Sequence, residues 1–183
     1  VSRATGIAHS TLRRYLSLLE ALFILQPLPA WSANLGKRLV KAPKVHLVDA
    51  GLAAHLRGQT DPTALAMSPQ LGPLLETFVV QEVRRHLRWA GMSATTWHFR
   101  TAAGREVDLM LEAPSGQVVG VEVKASASVT QGDFNGLREL AAAAGKNFAR
   151  GIVLYSGEQL MPIDKHLWAV PLGVLWAGGT NSA

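Results

Sequence analysis

The sequence predicts an α/β protein, a mixed sheet flanked by helices and preceded by a partial winged helix. Three observations carry that prediction. Residues 72–91 hold the apolar periodicity of a helix, and the segments after them follow the order helix, strand, strand, strand, helix, strand. Two of the strand-like runs carry acids and a lysine inside otherwise apolar stretches. Upstream, one short helix and two strand-like segments hold the whole basic excess of the chain.

In chain order, residues 4–25 read ATGIAHSTLRRYLSLLEALFIL. A small-residue turn at Gly6 leads to Ser10 as helix N-cap, with Leu12, Leu16 and Leu19 at helical spacing. Arg13 and Arg14 fall near the exposed start of this helix, where they either touch DNA as a recognition helix does or form a solvated basic face. FILQPLPAW then begins a wing, and RLVKAPKVHLVD supplies further strand. Asp49, Ala50 and Gly51 open the short helix GLAAHLRG. Asp49 either caps it or joins Lys41 and Lys44 in a functional cluster. QTDPTALAMSPQLGP, with three prolines, is the most loop-like stretch of the chain. The expected parts are therefore a winged-helix segment over 1–58, a linker over 59–71 and a second domain over 72–183.

That second domain opens with GPLLETFVVQEVRRHLRWAG, which has Pro73 in the first turn, Leu75, Val79, Val83 and Leu87 four apart, and Gly91 as a stop signal. TTWHFRT follows as a strand, then the hairpin REVDLMLEAPSGQVVGVEVKAS and a helix from about Asp133 to Ala144. RGIVLYS and HLWAV read as strands, and PLGVLWA ends the order.

At 183 residues, with 48% hydrophobic and 17% charged, the chain is too apolar for disorder. No uncharged run reaches the ~18 residues that a bilayer span needs. Zero cysteines exclude disulfide scaffolds, thiolate zinc sites and cysteine nucleophiles. No secretory leader pattern is present, so the expected location is cytoplasmic. Val1 stands in the middle of a helical unit, so a fragment of a longer protein is expected. Residues 1–58 hold eight Lys and Arg against two acids, and residues 59–183 hold ten against eleven. A basic N-terminal part suggests a polyanionic partner, nucleic acid first. The six histidines show no i, i+4 pair and read as structural or exposed. Trp31, Trp89, Trp97, Trp168 and Trp176 read as core or interface anchors.

Alternation puts Val107, Leu109 and Leu111 on one side of the first hairpin arm and Glu106, Asp108, Met110 and Glu112 on the other. In the second arm Val119, Val121 and Val123 oppose Gly120, Glu122 and Lys124. A two-residue loop would pair Asp108 with Val123 and separate the acids. A three-residue loop pairs Asp108 with Lys124 and a five-residue loop pairs it with Glu122; EAPSGQ suits these longer loops. Two close carboxylates and a backbone carbonyl, with positions left for water, make a hard oxygen site of the kind Mg²⁺ favours. A lysine two residues beyond the second acid points the same way, where its ammonium can orient water or neutralise charge on a phosphate.

Glu76 on a helix, Asp108 on a strand and Glu122-Val123-Lys124 on the next resemble the PD-(D/E)xK nuclease superfamily over roughly residues 72–156. More closely, TLRRYLSLLEALFI, KRLVKAPKVHLVDAGLA, GPLLETFVVQEV, HFRTAAGREVDLMLE, VEVKAS and GIVLYSGE resemble the C-terminal region of a prokaryotic AAA+ type ATPase family. There a P-loop domain precedes a winged helix and a nuclease-like domain of unknown function. The resemblance implies a restriction-endonuclease-like core and a metal-dependent DNA phosphodiester hydrolase using Mg²⁺ or Mn²⁺. It makes Glu76, Asp108, Glu122 and the carbonyl of Val123 the metal ligands and Lys124 the group that activates water. Arg100 and Arg105, beside the hairpin, would clamp phosphate. No G-x-x-x-x-G-K-[ST] occurs, so ATP hydrolysis would belong to an upstream ATPase domain, and a homo-oligomer would form through the full-length protein. The alternative expectation is an inert DNA-binding or partner-docking module that regulates that ATPase.

Overall fold

The computed structural model describes residues 6–32 and 42–177. Helix α1 spans His9–Ala21, two residues earlier than expected. Ala8, not Ser10, is its N-cap and accepts the first helical hydrogen bond from the Leu12 N–H, so the helix is already under way at Ser10. Strands β1 (Leu25–Leu28) and β2 (Lys44–Leu47) pair antiparallel, with Leu28 opposite Lys44. Helix α2 (Ala50–Leu56) is capped by Asp49, which accepts from the Leu52 N–H at 2.6 Å. The stretch expected as linker contains a helix, α3 (Pro62–Ala66). Asp61 caps it through the Thr63 N–H, and Pro62 in the first turn fixes a helical φ, which together offset the loop-like composition.

Helix α4 (Leu71–Trp89) is followed by Gly91 at φ 63°, a left-handed position that ends the helical path. Its buried apolar residues are Leu74, Val79 and Val80, so the stripe begins at Leu74 rather than Leu75. Six strands follow: β3 (Thr95–Arg100), β4 (Glu106–Glu112), β5 (Val118–Lys124), β6 (Phe148–Tyr155), β7 (Met161–Pro162) and β8 (Leu167–Pro171). They form one mixed sheet in the order β3-β4-β5-β6-β8-β7, with β5-β6 and β6-β8 parallel and the other pairs antiparallel. Helix α5 (Asn135–Ala144) crosses between β5 and β6, as a parallel connection requires. The expected order therefore stands as α4-β3-β4-β5-α5-β6.

Each face of the sheet has its own core. Val79 and Val80 of α4 pack on Leu109, Val121 and Leu154; Leu137 and Leu140 of α5 pack on Val107, Met110 and Val153. Simple alternation would have put Val107 with Leu109. Instead the β3–β4 register slips: Trp97 faces Met110 while Phe99 faces Val107, so three steps of β4 match two of β3. This bulge at Asp108 and Leu109 turns Val107 to the α5 side and aims Asp108 away from regular pairing.

The β1–β2 pair and the residues after β1 dock on this sheet. Leu28 is fully buried in the α4-side core, Ala30 bridges to His98, and Arg84 of α4 donates to Gln26, the Pro27 carbonyl and Thr96. Trp31 is 4% exposed in the α5-side core, whereas Trp89 stays 76% exposed. Among the described residues no helix is long and apolar enough to cross a membrane.

Helix α5 approaches β4 through a glycine: a Cβ on Gly136 would lie 1.9 Å from the Glu106 carbonyl oxygen. Gly136→Ala should therefore lower stability by ~2 kcal/mol, in the range of core overpacking, in urea denaturation. Gly72→Ala, in open space on α4, should be neutral or stabilising by up to ~1 kcal/mol.

Candidate active site

At the end of the sheet where β4 leaves β5, charged groups from five elements form a row. Lys44 of β2 comes first. Its Nζ lies 2.8 Å from Glu76 Oε1 on α4, 3.0 Å from Asp108 Oδ1 and 3.5 Å from Glu106 Oε2 on β4. Asp108 Oδ2 accepts the Val123 N–H at 3.0 Å, closing the ladder beyond the Leu109–Val121 pair. On β5, Lys124 Nζ lies 3.1 Å from Glu122 Oε1 and 3.6 Å from Asp133 Oδ1. Asp133 is itself held in a capping box with Thr130 ahead of α5.

The hairpin loop decides which acids meet. Five residues, Ala113–Gln117, separate β4 from β5, and the register runs from Glu112–Val118 to Leu109–Val121; beyond it Asp108 leaves the ladder and its carboxylate takes the Val123 N–H, next to Glu122 in the chain. Gly116, at φ 82°, takes the left-handed position of this turn. The structure thus gathers Glu76, Asp108, Glu122 and Lys124 at one end of the sheet. Val123 meets Asp108 through its N–H, not through its carbonyl. Arg100 is 61% exposed and its Nε lies 3.2 Å from Glu106 Oε1, so it rims the row; Arg105 is exposed beside it. Arg13 and Arg14 are exposed on α1. Lys41 lies outside the described residues. Asp49 caps α2, while Lys44 goes to the acids instead of to Asp49.

Lys44, Glu106 and His46 were not expected here. Lys44 and His46 alternate on one face of β2, and only the docking of the wing on α4 brings that face to Glu76. His46 is buried, its Nδ1 meets Thr77 Oγ1 at 3.2 Å, and its Nε2 lies 3.9 Å from Glu76 Oε1.

Residues 71–175 match the family described as Domain of unknown function (DUF4143). The chain belongs to that family. Residues 1–63 match a second family, Domain of unknown function (DUF8612). Curated relatives include the uncharacterized protein Rv2008c of Mycobacterium tuberculosis and the uncharacterized protein Mb2031c of Mycobacterium bovis. Each is 31% identical over 182 residues, covering 98% of this chain and 39% of the relative. The chain thus spans about two fifths of the length of the curated relatives it matches. No solved structure matches it. DUF4143 is often found in the C-terminal region of AAA-type ATPase-like proteins.

The electrostatics of this DUF4143 domain follow from burial and from the order of charges. Burial opposes the charge on Lys44, but Asp108 and then Glu76 outweigh it and hold its pKa above the usual lysine range. Lys124 behaves alike, with Glu122 and Asp133 outweighing burial. Burial, then the neighbouring Asp108, pushes Glu122 up to about 7 against the pull of Lys124. Glu122 thus feels both the charge of Asp108 and the ammonium of Lys124, which lies 3.1 Å from its Oε1. Glu76 is raised too, by burial and then by Asp108, with Lys44 opposing. His46 is lowered to about 4 by burial and then by Lys44, and is neutral at pH 7.

Asp108 and Glu122 interact electrostatically as like charges, with Lys44 on the first and Lys124 on the second. Glu122 Oε2 is buried with no hydrogen-bond partner. Hard carboxylate donors, an orphaned buried oxygen and a cation already held among the neighbouring acids fit Mg²⁺ or Mn²⁺ by donor type. Asp108 and Glu122 would hold it, with Glu76 near enough to share Lys44 with Asp108. As the described side chains stand, no three Asp, Glu or His groups enclose a metal ion, because Lys44 lies between Glu76 and Asp108.

Glu122 and His46 make opposite contributions to pH-dependent stability. The raised Glu122 retains its proton longer in the native state, so its contribution weakens stability as pH rises from about 4.5 to about 7. His46, lowered, contributes stability present above about 6.5 and lost as pH falls toward 4. With chelator present, Glu122→Gln should match wild type near pH 4.5 and exceed it at pH 8 by on the order of 2 kcal/mol. Denaturant curves across this range check the slope, and an equal gap at both ends would refute the buried-carboxyl account.

Proposed function

We propose that this DUF4143 domain is a divalent-ion-dependent phosphodiester hydrolase that acts on DNA, built on a restriction-endonuclease-like core and joined to an ATPase in a longer protein. The observation that carries this reading is the convergence at one strand end of Glu76 and Asp108 on a shared cation, with Asp108 bonded to the Val123 N–H between Glu122 and Lys124, which pair with each other. A bound divalent ion supplies Lewis-acid stabilisation of the charge that builds on the phosphate. Glu122, whose buried Oε2 has no hydrogen-bond partner, accepts a proton from the attacking water. Lys124, held by Glu122 and Asp133, orients that water and keeps positive charge beside the phosphate. Arg100 and Arg105, exposed at the rim, attract the DNA backbone, and the basic N-terminal part extends that field.

One observation favours a second reading, a silent docking module that regulates the ATPase: Lys44 already neutralises Glu76 and Asp108. Plasmid cleavage separates the two. Supercoiled DNA with millimolar Mn²⁺ should yield nicked circles, and Asp108→Ala or Lys124→Ala should slow nicking by ~100-fold or more. Binding of equal strength by all three proteins, with no nicks, would establish the docking reading. Replacing Arg13 and Arg14 with Ala should lower DNA affinity and reduce the slope of log affinity against log salt by about 2, if each Arg meets one phosphate.

A further inference from the structure

Lys44 is the one cation that β2 brings to this site. Its ammonium takes three neighbours from the DUF4143 segment, Glu76, Glu106 and Asp108, at 2.8, 3.5 and 3.0 Å. Two of those acids, Glu76 and Asp108, are among the residues that would hold a divalent ion. On the wing side, the 5% exposed His46 faces Glu76 with an Nε2 that has no hydrogen-bond partner. Thr77 donates its hydroxyl to the Pro73 carbonyl, so its oxygen accepts from His46 Nδ1 and leaves Nε2 as a bare lone pair. A neutral imidazole adds no charge here, so Glu76 and Asp108 depend on Lys44 for neutralisation. The position of Lys44 is set by the docked wing, because it pairs with Leu28, which is fully buried against the sheet.

We propose that Lys44 is a tethered cation that competes with a divalent metal ion for Glu76 and Asp108, so that metal binding and wing docking exclude one another. This deepens the hydrolase reading and rests on it for its purpose, but not for its test. While β2 is seated, the ammonium is present at high effective concentration and the acids have no need of a second cation. When the wing lifts, Lys44 leaves, two buried carboxylates lose their counter-charge, and an ion of hard or intermediate character takes its place. The nearby imidazole lone pair of His46 favours Mn²⁺ over Mg²⁺ or Ca²⁺. Linkage makes the coupling reciprocal: Mn²⁺ must loosen the wing by the same factor by which the wing weakens Mn²⁺.

The test is Mn²⁺ binding to the 183-residue chain, read from the loss of the free-ion electron paramagnetic resonance signal. Lys44→Met, which keeps the apolar stem, should bind Mn²⁺ on the order of 100-fold more tightly than wild type, as removal of a tethered competitor requires. Adding Asp108→Asn to that variant should abolish the gain. Equal affinity in wild type and Lys44→Met overturns the proposal, as does a Lys44→Met chain that is folded by circular dichroism and binds no Mn²⁺. If Lys44→Met does not fold, hydrogen exchange in wild type decides. The paired amides of β1 and β2 should exchange faster at saturating Mn²⁺ than in Mg²⁺-free, ionic-strength-matched buffer, and unchanged exchange overturns the proposal. Mn²⁺ binding by Lys44→Met without any plasmid nicking would sink the hydrolase and leave the exchange standing. Nicking by wild type with the same Mn²⁺ dependence as Lys44→Met would sink the exchange and leave the hydrolase.

Discussion

The ammonium of Lys44, held between the carboxylates of Glu76 and Asp108, is the contact on which the arrangement of this domain turns. Three elements far apart in the chain meet at that point: a wing strand, the first turns of α4 and the bulge of β4. Two half-buried carboxylates this close would repel and would each lose hydration with nothing in return. A cation between them reverses the sign of the interaction. It also ties the N-terminal segment to the sheet, since the strand of Lys44 pairs with β1, which buried Leu28 and the hydrogen bonds of Arg84 hold to the sheet and α4.

From there the charges alternate in two groups along the sheet end. Glu76, Lys44 and Asp108 alternate, as do Glu122, Lys124 and Asp133. Burial first, and then the charge of Asp108, pushes the Glu122 carboxyl up to about 7, out of the ordinary carboxylate range. A group poised there exchanges protons readily at physiological pH, which is the property that general acid–base chemistry uses. The same burial that raises Glu122 is also an unfavourable term in stability at neutral pH.

The order of elements was legible in the chain because each rests on local chemistry. Pro73 and Gly91 bracket α4, alternation marks β4 and β5, and Asp49 caps α2. So were Glu76, Asp108, Glu122 and Lys124, because charged side chains inside apolar strands require partners. What local pattern misjudged were small geometric matters. Ala8 in place of Ser10 begins α1, and a cap with a proline makes a helix of Pro62–Ala66 in a stretch that reads as loop. The largest such matter was the bulge at Asp108 and Leu109, which moves Val107 to the face opposite Leu109.

By itself, then, the sequence determined most of the segments that form helix and strand and drew attention to Glu76, Asp108, Glu122 and Lys124, since both readings depend on neighbours within a few positions. Only the tertiary structure decided that the hairpin takes a five-residue loop, that the Asp108 carboxylate takes the Val123 N–H, and that Lys44 sits between Glu76 and Asp108. The reason is physical: strand register and interdomain docking are set by the packing of Leu28, Val79 and Leu109 into one core, and no window along the chain contains all three.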